Sequence, residues 1–250
     1  ADDSKGALSS LRVIDATQML AGPIAGTRLG DLGADVIKVE PPTNGEFNRT
    51  RGFEDQMSNG EMTTFLAVNR NKRSLAIDLK SAGGKEVIYE LVKKSDVFLQ
   101  NFRYGTADRL GIGYEDLKKI NPRIIYCSIS GYGQKGEWSN RGGYDLVIQA
   151  LTGMMMMSGP EDEKNPTKVG FPVIDVAVGM LGALSIISAI YRKEKYGLGQ
   201  YIETSLVQAA LMLMYPFTTD YLTDKKVSKR LGNKGYSGSP ASDTFECRDG

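Results

Sequence analysis

The chain has 250 residues, 31 Lys plus Arg against 30 Asp plus Glu, and no histidine, for a formal net charge of +1. Without imidazole there is no Ser-His-Asp or Cys-His nucleophile pair and no histidine metal ligand, and two isolated cysteines cannot build a thiolate zinc site, so no metal is expected. A near-neutral chain without runs of like charge has no field for a nucleic-acid backbone, and so few cysteines suit a reducing compartment: the cytoplasm or, in a eukaryote, the mitochondrial matrix.

Residues 1–10 are polar, and residues 12–15 read as a strand. Ala21-Gly22-Pro23 opens a helix, with proline in the first turn where its missing N–H is harmless, and Gly33 is suited to end it. Residues 35–39 form a second strand too apolar to face water on either side. Glu40 follows it where a dinucleotide fold places its ribose-binding acid, but no G-x-G-x-x-G lies between strand and helix. Gly22, Gly26 and Gly30, spaced four apart, read instead as packing glycines on one helix face. Residues 73–78, 97–100 and 124–128 read as further strands, with a helix over 84–93 between the first two. Strand and helix in alternation predict an α/β fold, a Rossmann-like parallel sheet covered on both faces.

Beyond Ser130 the pattern predicts long helices over 144–152, 176–196 and 206–222, with a short strand at 200–204. Residues 173–191 are about long enough to cross a bilayer, but Asp175, two glycines and two serines within them favour a core helix, so no membrane is expected as a partner. The four methionines at 154–157 read as adaptable core packing. Residues 1–222 are expected to form one large domain and the polar stretch 223–242 a linker. Residues 243–247 read as a strand and 248–250 as the start of a hairpin, the opening of a second, smaller domain missing from this chain.

Three groups of residues could carry chemistry. Asn69-Arg70-Asn71-Lys72-Arg73 is a basic run before a strand, and Asn101, Phe102, Arg103 and Arg109 follow a strand end, where open α/β sheets bind ligands. Such cations suit a phosphorylated ligand by charge-assisted hydrogen bonds, although a solvated basic loop has the same composition. Ser130-Gly131-Tyr132-Gly133-Gln134 and Gly142-Gly143-Tyr144-Asp145 suggest backbone brought close to a ligand, or ordinary turns with a capping carboxylate. Asp175 stands between Ile174 and Val176 in an apolar run that begins the longest helix. A carboxylate there is either capped by helix N–H groups or raised in pKa by desolvation; it is a reactive acid or simply an N-cap.

Taken together these segments resemble the family III CoA-transferases, the group of formyl-CoA:oxalate and carnitine CoA-transferases. The likeness covers residues 11–250 and runs through Ala21-Gly22-Pro23, Gly33-Ala34-Asp35-Val36-Ile37-Lys38-Val39-Glu40, Asn71-Lys72-Arg73-Ser74-Leu75, Asp108-Arg109-Leu110-Gly111, Gly143-Tyr144-Asp145, Gln149-Ala150 and Gly197-Leu198-Gly199-Gln200. The resemblance implies that Asp175 is the nucleophile, with Gly179 four residues on as in the family. It implies coenzyme A contacts at Leu20, Ala21, Asn69, Arg70, Asn71, Lys72, Asn101, Phe102, Arg103 and Arg109, with Tyr144 and Asp145 at the thioester end. The chain has Pro41 where some members carry a basic residue, and Gly142 at a second basic position, with Arg141 beside it.

The implied reaction is acyl-CoA:carboxylate CoA transfer through an aspartyl anhydride and an aspartyl-CoA thioester, with acyl-CoA and a carboxylic acid as substrates and no permanently bound cofactor. The resemblance also implies an interlocked homodimer. Every nucleophile in such a sequence is already an anion, so the lack of histidine is no obstacle. The related α-methylacyl-CoA racemases place a histidine where this chain has Tyr144, a poor exchange acid near neutral pH, which makes racemisation the weaker reading. A non-catalytic CoA-binding fragment is a third.

Overall fold

The computed structural model describes residues 6–50 and 56–249. In chain order the elements are β1 (Arg12–Ala16), α1 (Ala21–Asp31), β2 (Asp35–Glu40), a 3-10 turn (Phe47–Arg49), β3 (Met57–Ser58), β4 (Glu61–Met62), α2 (Thr63–Asn69) and β5 (Lys72–Ala76). Then come α3 (Ala82–Val92), β6 (Val97–Gln100), α4 (Thr106–Arg109), α5 (Tyr114–Ile120), β7 (Ile125–Ser130), α6 (Asp145–Leu151) and α7 (Met154–Met157). The last are α8 (Val173–Tyr196), β8 (Gln200–Ser205), α9 (Leu206–Leu213) and α10 (Tyr215–Asp224). Six strands form one parallel sheet in the order β5-β2-β1-β6-β7-β8, as the alternating pattern predicts, and β3 pairs with β4 in a small antiparallel ribbon.

Alternate side chains of each strand divide the core into two layers. Val13, Val36, Leu99, Cys127 and Ile202 face α1, α8 and α9, whereas Ile14, Val39, Phe98 and Tyr126 face α3, α4 and α5. Asp15 and Lys38 are register partners on the first face, so a carboxylate and an ammonium enter the core beneath α1.

Helix α8 is long and apolar enough to cross a membrane, with a mean hydropathy of 2.2. It is a core helix on one side only. Ile174, Val178, Gly179, Gly182, Ala183, Ile186 and Ala189 are buried in the layer formed with α1 and the sheet, while Val176, Met180, Leu184 and Tyr191 are exposed. Gly179 permits the close crossing of α1: a Cβ there would stand 2.7 Å from the Ala21 carbonyl oxygen and from Ile24. The helix begins at Val173, three residues before its expected start, so Asp175 belongs to the first turn, and the N-cap position is held by Pro172.

Two expectations are corrected. The helix predicted over 206–222 breaks at Met214, just before Pro216, whose ring cannot follow a continuous helical turn but fits the first turn of α10. Residues 243–247 form no strand: they are exposed, and no neighbouring segment offers them a ladder of hydrogen bonds. The turn expected at 248–250 is present at Arg248 and Asp249, and Gly250 lies outside the described residues. The stretch read as a linker is pinned at Arg230, which is buried and donates to the carbonyls of Met155, Glu163 and Asn165.

Candidate active site

The turn between β1 and α1 lies at the carboxyl end of β1, where ligands of such sheets bind. Its backbone is held by side chains from five places in the chain. Thr17 N–H donates to Asp15 at 3.0 Å, and the Thr17 carbonyl accepts from Lys38 Nζ at 3.0 Å. Asn101 takes both sides of Gln18, accepting from its N–H and donating to its carbonyl, each at 2.8 Å. Met19 N–H donates to Glu46 and its carbonyl accepts from Asn48, both at 2.7 Å. Met19 itself has φ 67°, a left-handed conformation that a non-glycine residue adopts at a cost of roughly 1–2 kcal/mol. These contacts fix Leu20 and Ala21 at the amino end of α1, beside Gly179 and one turn from Asp175.

Beneath α1 lies a set of buried ions. Asp15 and Lys72 pair at 2.8 Å and Lys38 and Glu46 at 2.9 Å, all four side chains no more than 1% exposed. Burial pushes the Asp15 carboxyl up, but the Lys72 and Lys38 ammoniums outweigh it and hold the group below the usual carboxylate range. Glu40, the candidate ribose acid, is engaged with Arg49 and Ser74, and these partners overcome its burial and bring it down to about 2. Gly26 makes room for the ions: a Cβ there would meet Asp15 Oδ2 at 2.4 Å. The four-residue spacing of glycines in α1 is thus a packing device.

Asn69, Arg70, Asn71 and Lys72 reach the turn after β1 in part: Asn69 Nδ2 donates to Glu46, the carboxylate that accepts from the Met19 N–H, and Lys72 pairs with Asp15. They lie at the amino end of β5, and Lys72 pairs in register with Val36 at the start of β2. Arg70 is bound to Asp31 through two hydrogen bonds, Asn71 Nδ2 donates to the same carboxylate, and Lys72 Nζ donates to the Pro23 carbonyl and to Asn69. Their charges and amides are taken up in holding α2 and β5 to α1.

The remaining expected residues do converge. Asn101, Phe102 and Arg103 follow β6, and the Phe102 N–H donates to buried Gln100 at 2.7 Å; Gln100 in turn donates to Ser128 on β7. Gly131 and Gly143 press on each other, a Cβ on either meeting the other's backbone within 2.8 Å, so the two glycine-rich stretches approach one another. Arg103 comes within 3.9 Å of a Cβ built on Gly142, while Arg141 lies over Trp138 at 4.5 Å. Tyr144 is 62% exposed at the N-cap of α6. Arg109 lies farther out on α4, bonded to Thr106. On the opposite sheet face a polar cavity of about 110 Å³ is bounded by Gln100, Arg103, Tyr126, Gln134 and Tyr201.

Asp145 and Asp175 form the centre. Asp145 is buried at the start of α6, and its Oδ2 accepts from the N–H groups of Ile174 at 2.7 Å and Asp175 at 3.0 Å. It therefore caps α8 from some 30 positions away, satisfying N–H groups that a helix start leaves open. Its other oxygen accepts from Gln149 at 2.5 Å. The Asp175 carboxylate has no cation among the described residues: burial, with the Asp145 charge added, pushes it up to about 7. A carboxylate of that kind is poorly solvated and half ionised near pH 7, and the ionised half is the state a nucleophile requires. Gln149 and Gln100 went unnoticed as site residues, although the Asp145–Gln149 spacing of four in a helix was a usable signal.

The profile of CoA-transferase family III matches residues 8–250. Over 248 residues the chain is 40% identical to succinyl-CoA:glutarate CoA-transferase of Mus musculus, covering 99% of this chain and 56% of that one. It is 39% identical over 246 residues to acetyl-CoA:oxalate CoA-transferase of Acetobacter aceti, covering 98% of this chain and 62% of that one. The crystal structure of a CAIB/BAIF family protein from Brucella suis superposes with a TM-score of 0.90 at 38% identity, over 98% of this chain and 65% of that one. The chain thus spans little more than half the length of the mouse relative. The motif series and the parallel sheet agree with these matches, and the chain belongs to CoA-transferase family III.

Proposed function

We propose that this protein transfers coenzyme A from an acyl-CoA donor to a free carboxylic acid, with Asp175 as the covalent nucleophile. The observation that supports this most is the setting of Asp175: at the first turn of α8, desolvated, without a cation among the described residues and beside a second carboxylate, in a chain of this family. Coenzyme A is a substrate in this reading. An Asp175 oxygen attacks the donor thioester carbonyl, and the tetrahedral adduct expels CoA thiolate to leave a mixed aspartyl-acyl anhydride. The thiolate then attacks the aspartyl carbonyl and releases the donor acid as its carboxylate. The acceptor carboxylate attacks the aspartyl thioester, freeing thiolate again, which takes the acceptor acyl group and leaves Asp175 as it began. Negative charge is conserved throughout, so no general base is needed. The free N–H groups at the start of α1 offer dipoles to the developing oxyanions.

Dicarboxylic acids are the acceptors to try first, since relatives carry names such as succinyl-CoA:glutarate and acetyl-CoA:oxalate CoA-transferase. The test incubates the protein with succinyl-CoA or acetyl-CoA and glutarate, oxalate or malate, and separates the CoA esters by chromatography. A new ester that appears only with its acid is the expected result. Deuterium exchange at the α-carbon of a 2-methylacyl-CoA without an acceptor would replace this reading with the racemase.

A further inference from the structure

We propose that Gln149 is a positioning residue that sets the place of Asp175 by locking Asp145 onto the start of α8. The inference rests on the reading of Asp175 as nucleophile. Gln149 is 1% exposed in α6, and both ends of its amide are used by different segments. Its Nε2 donates to Asp145 Oδ1 at 2.5 Å, and its Oε1 accepts from the Val169 N–H at 2.9 Å, in the stretch that leads into α8. Asp145 Oδ2 then accepts from the Ile174 and Asp175 N–H groups.

A carboxylate tied at one oxygen only can rotate about its terminal bond. Bonded to Gln149 at Oδ1 as well, Asp145 has a single orientation in which Oδ2 meets both amides. Gln149 also fixes Val169, four residues before the helix begins, so the same side chain sets the approach of the chain to α8 and the cap at its start. Asp175 is therefore held from behind while Leu20 and Ala21 are held by the turn after β1. Turnover by covalent attack depends on that separation, and a displacement of about 1 Å can cost roughly 100-fold in rate.

The test compares Gln149→Met, which keeps length and apolar bulk but neither hydrogen bond, with Gln149→Glu, which keeps the acceptor for Val169 but, when ionised, has no proton for Asp145. Measured in the intact protein, both are expected to lower kcat by roughly 10- to 100-fold while KM for acyl-CoA stays within about threefold, because Asn101 to Arg103 are untouched. Amide exchange at Ile174 and Asp175 is expected to quicken in both. Wild-type kcat in either folded variant overturns the proposal, as does a fall in melting temperature with kcat unchanged. Should neither variant fold, exchange in the wild-type protein decides: unprotected Ile174 and Asp175 amides refute the cap. Asp175→Asn, run beside them, separates the two ideas. If it retains turnover, the nucleophile reading fails; if it is inactive and the Gln149 variants are not, only the positioning role fails.

Discussion

Asp15 is fully buried beneath α1 and Asp175 is half-buried in the first turn of α8, and burial drives the carboxyl groups of both upward. They end in opposite states because of what stands beside them. Asp15 has Lys72 at 2.8 Å and Thr17 bonded to it, and falls below the usual carboxylate range. Asp175 has Asp145 behind its backbone and no cation among the described residues, and rises to about 7. Burial alone does not make a reactive acid: a paired ion in the core is a fixed structural charge, and an unpaired one retains chemical potential that a substrate can use.

The largest expected effect is on Asp175 itself. Asp175→Asn should reduce CoA transfer by about 1,000-fold or more, since no other carboxylate stands in its place. In the wild type, kcat/KM should climb as pH rises through about 7, because the attacking form is the carboxylate. Asp145→Asn should move that midpoint to lower pH by removing the neighbouring charge.

Next in size is the Asp15 pair. Lys72→Met leaves Asp15 buried and uncompensated, and urea denaturation should show a loss of about 3–5 kcal/mol. If Lys72 instead held coenzyme A, the variant would keep its stability and raise KM. A smaller effect separates the two carboxylates thermodynamically. The folded pKa of Asp175 is raised, so the native state holds its proton over a pH range where the unfolded chain has lost it, and stability falls as pH rises from about 4 to 7. Asp175→Asn should therefore stabilise the protein by on the order of 2 kcal/mol at pH 8 and by nothing at pH 3. Arg70→Ala, on an exposed ion pair with Asp31, should change stability by less than about 1 kcal/mol.

The parallel sheet was legible because each strand is a short apolar run and each crossover a separate helix, and Asp175 because a carboxylate in an apolar run needs a reason. The place of Asn101 to Arg103 beside the turn after β1 followed from a strand end. What was not legible depends on contacts distant in sequence. Asn69 to Lys72 look like a free basic cluster until Asp15 and Asp31 are brought against them. That Asp145 also caps α8 could not be read, because its oxygen meets the amides of a helix 29 and 30 positions on. The break at Met214 was signalled by Pro216 and missed because the apolar pattern runs through it.

Covalent catalysis by Asp175 is tested most directly by trapping its acylated carboxylate. The protein is incubated with acyl-CoA, treated with hydroxylamine, digested and analysed by mass spectrometry. A hydroxamate on Asp175, absent without acyl-CoA, is the expected result. Full CoA transfer with Asp175 unmodified, and the same rate in Asp175→Asn, would contradict it.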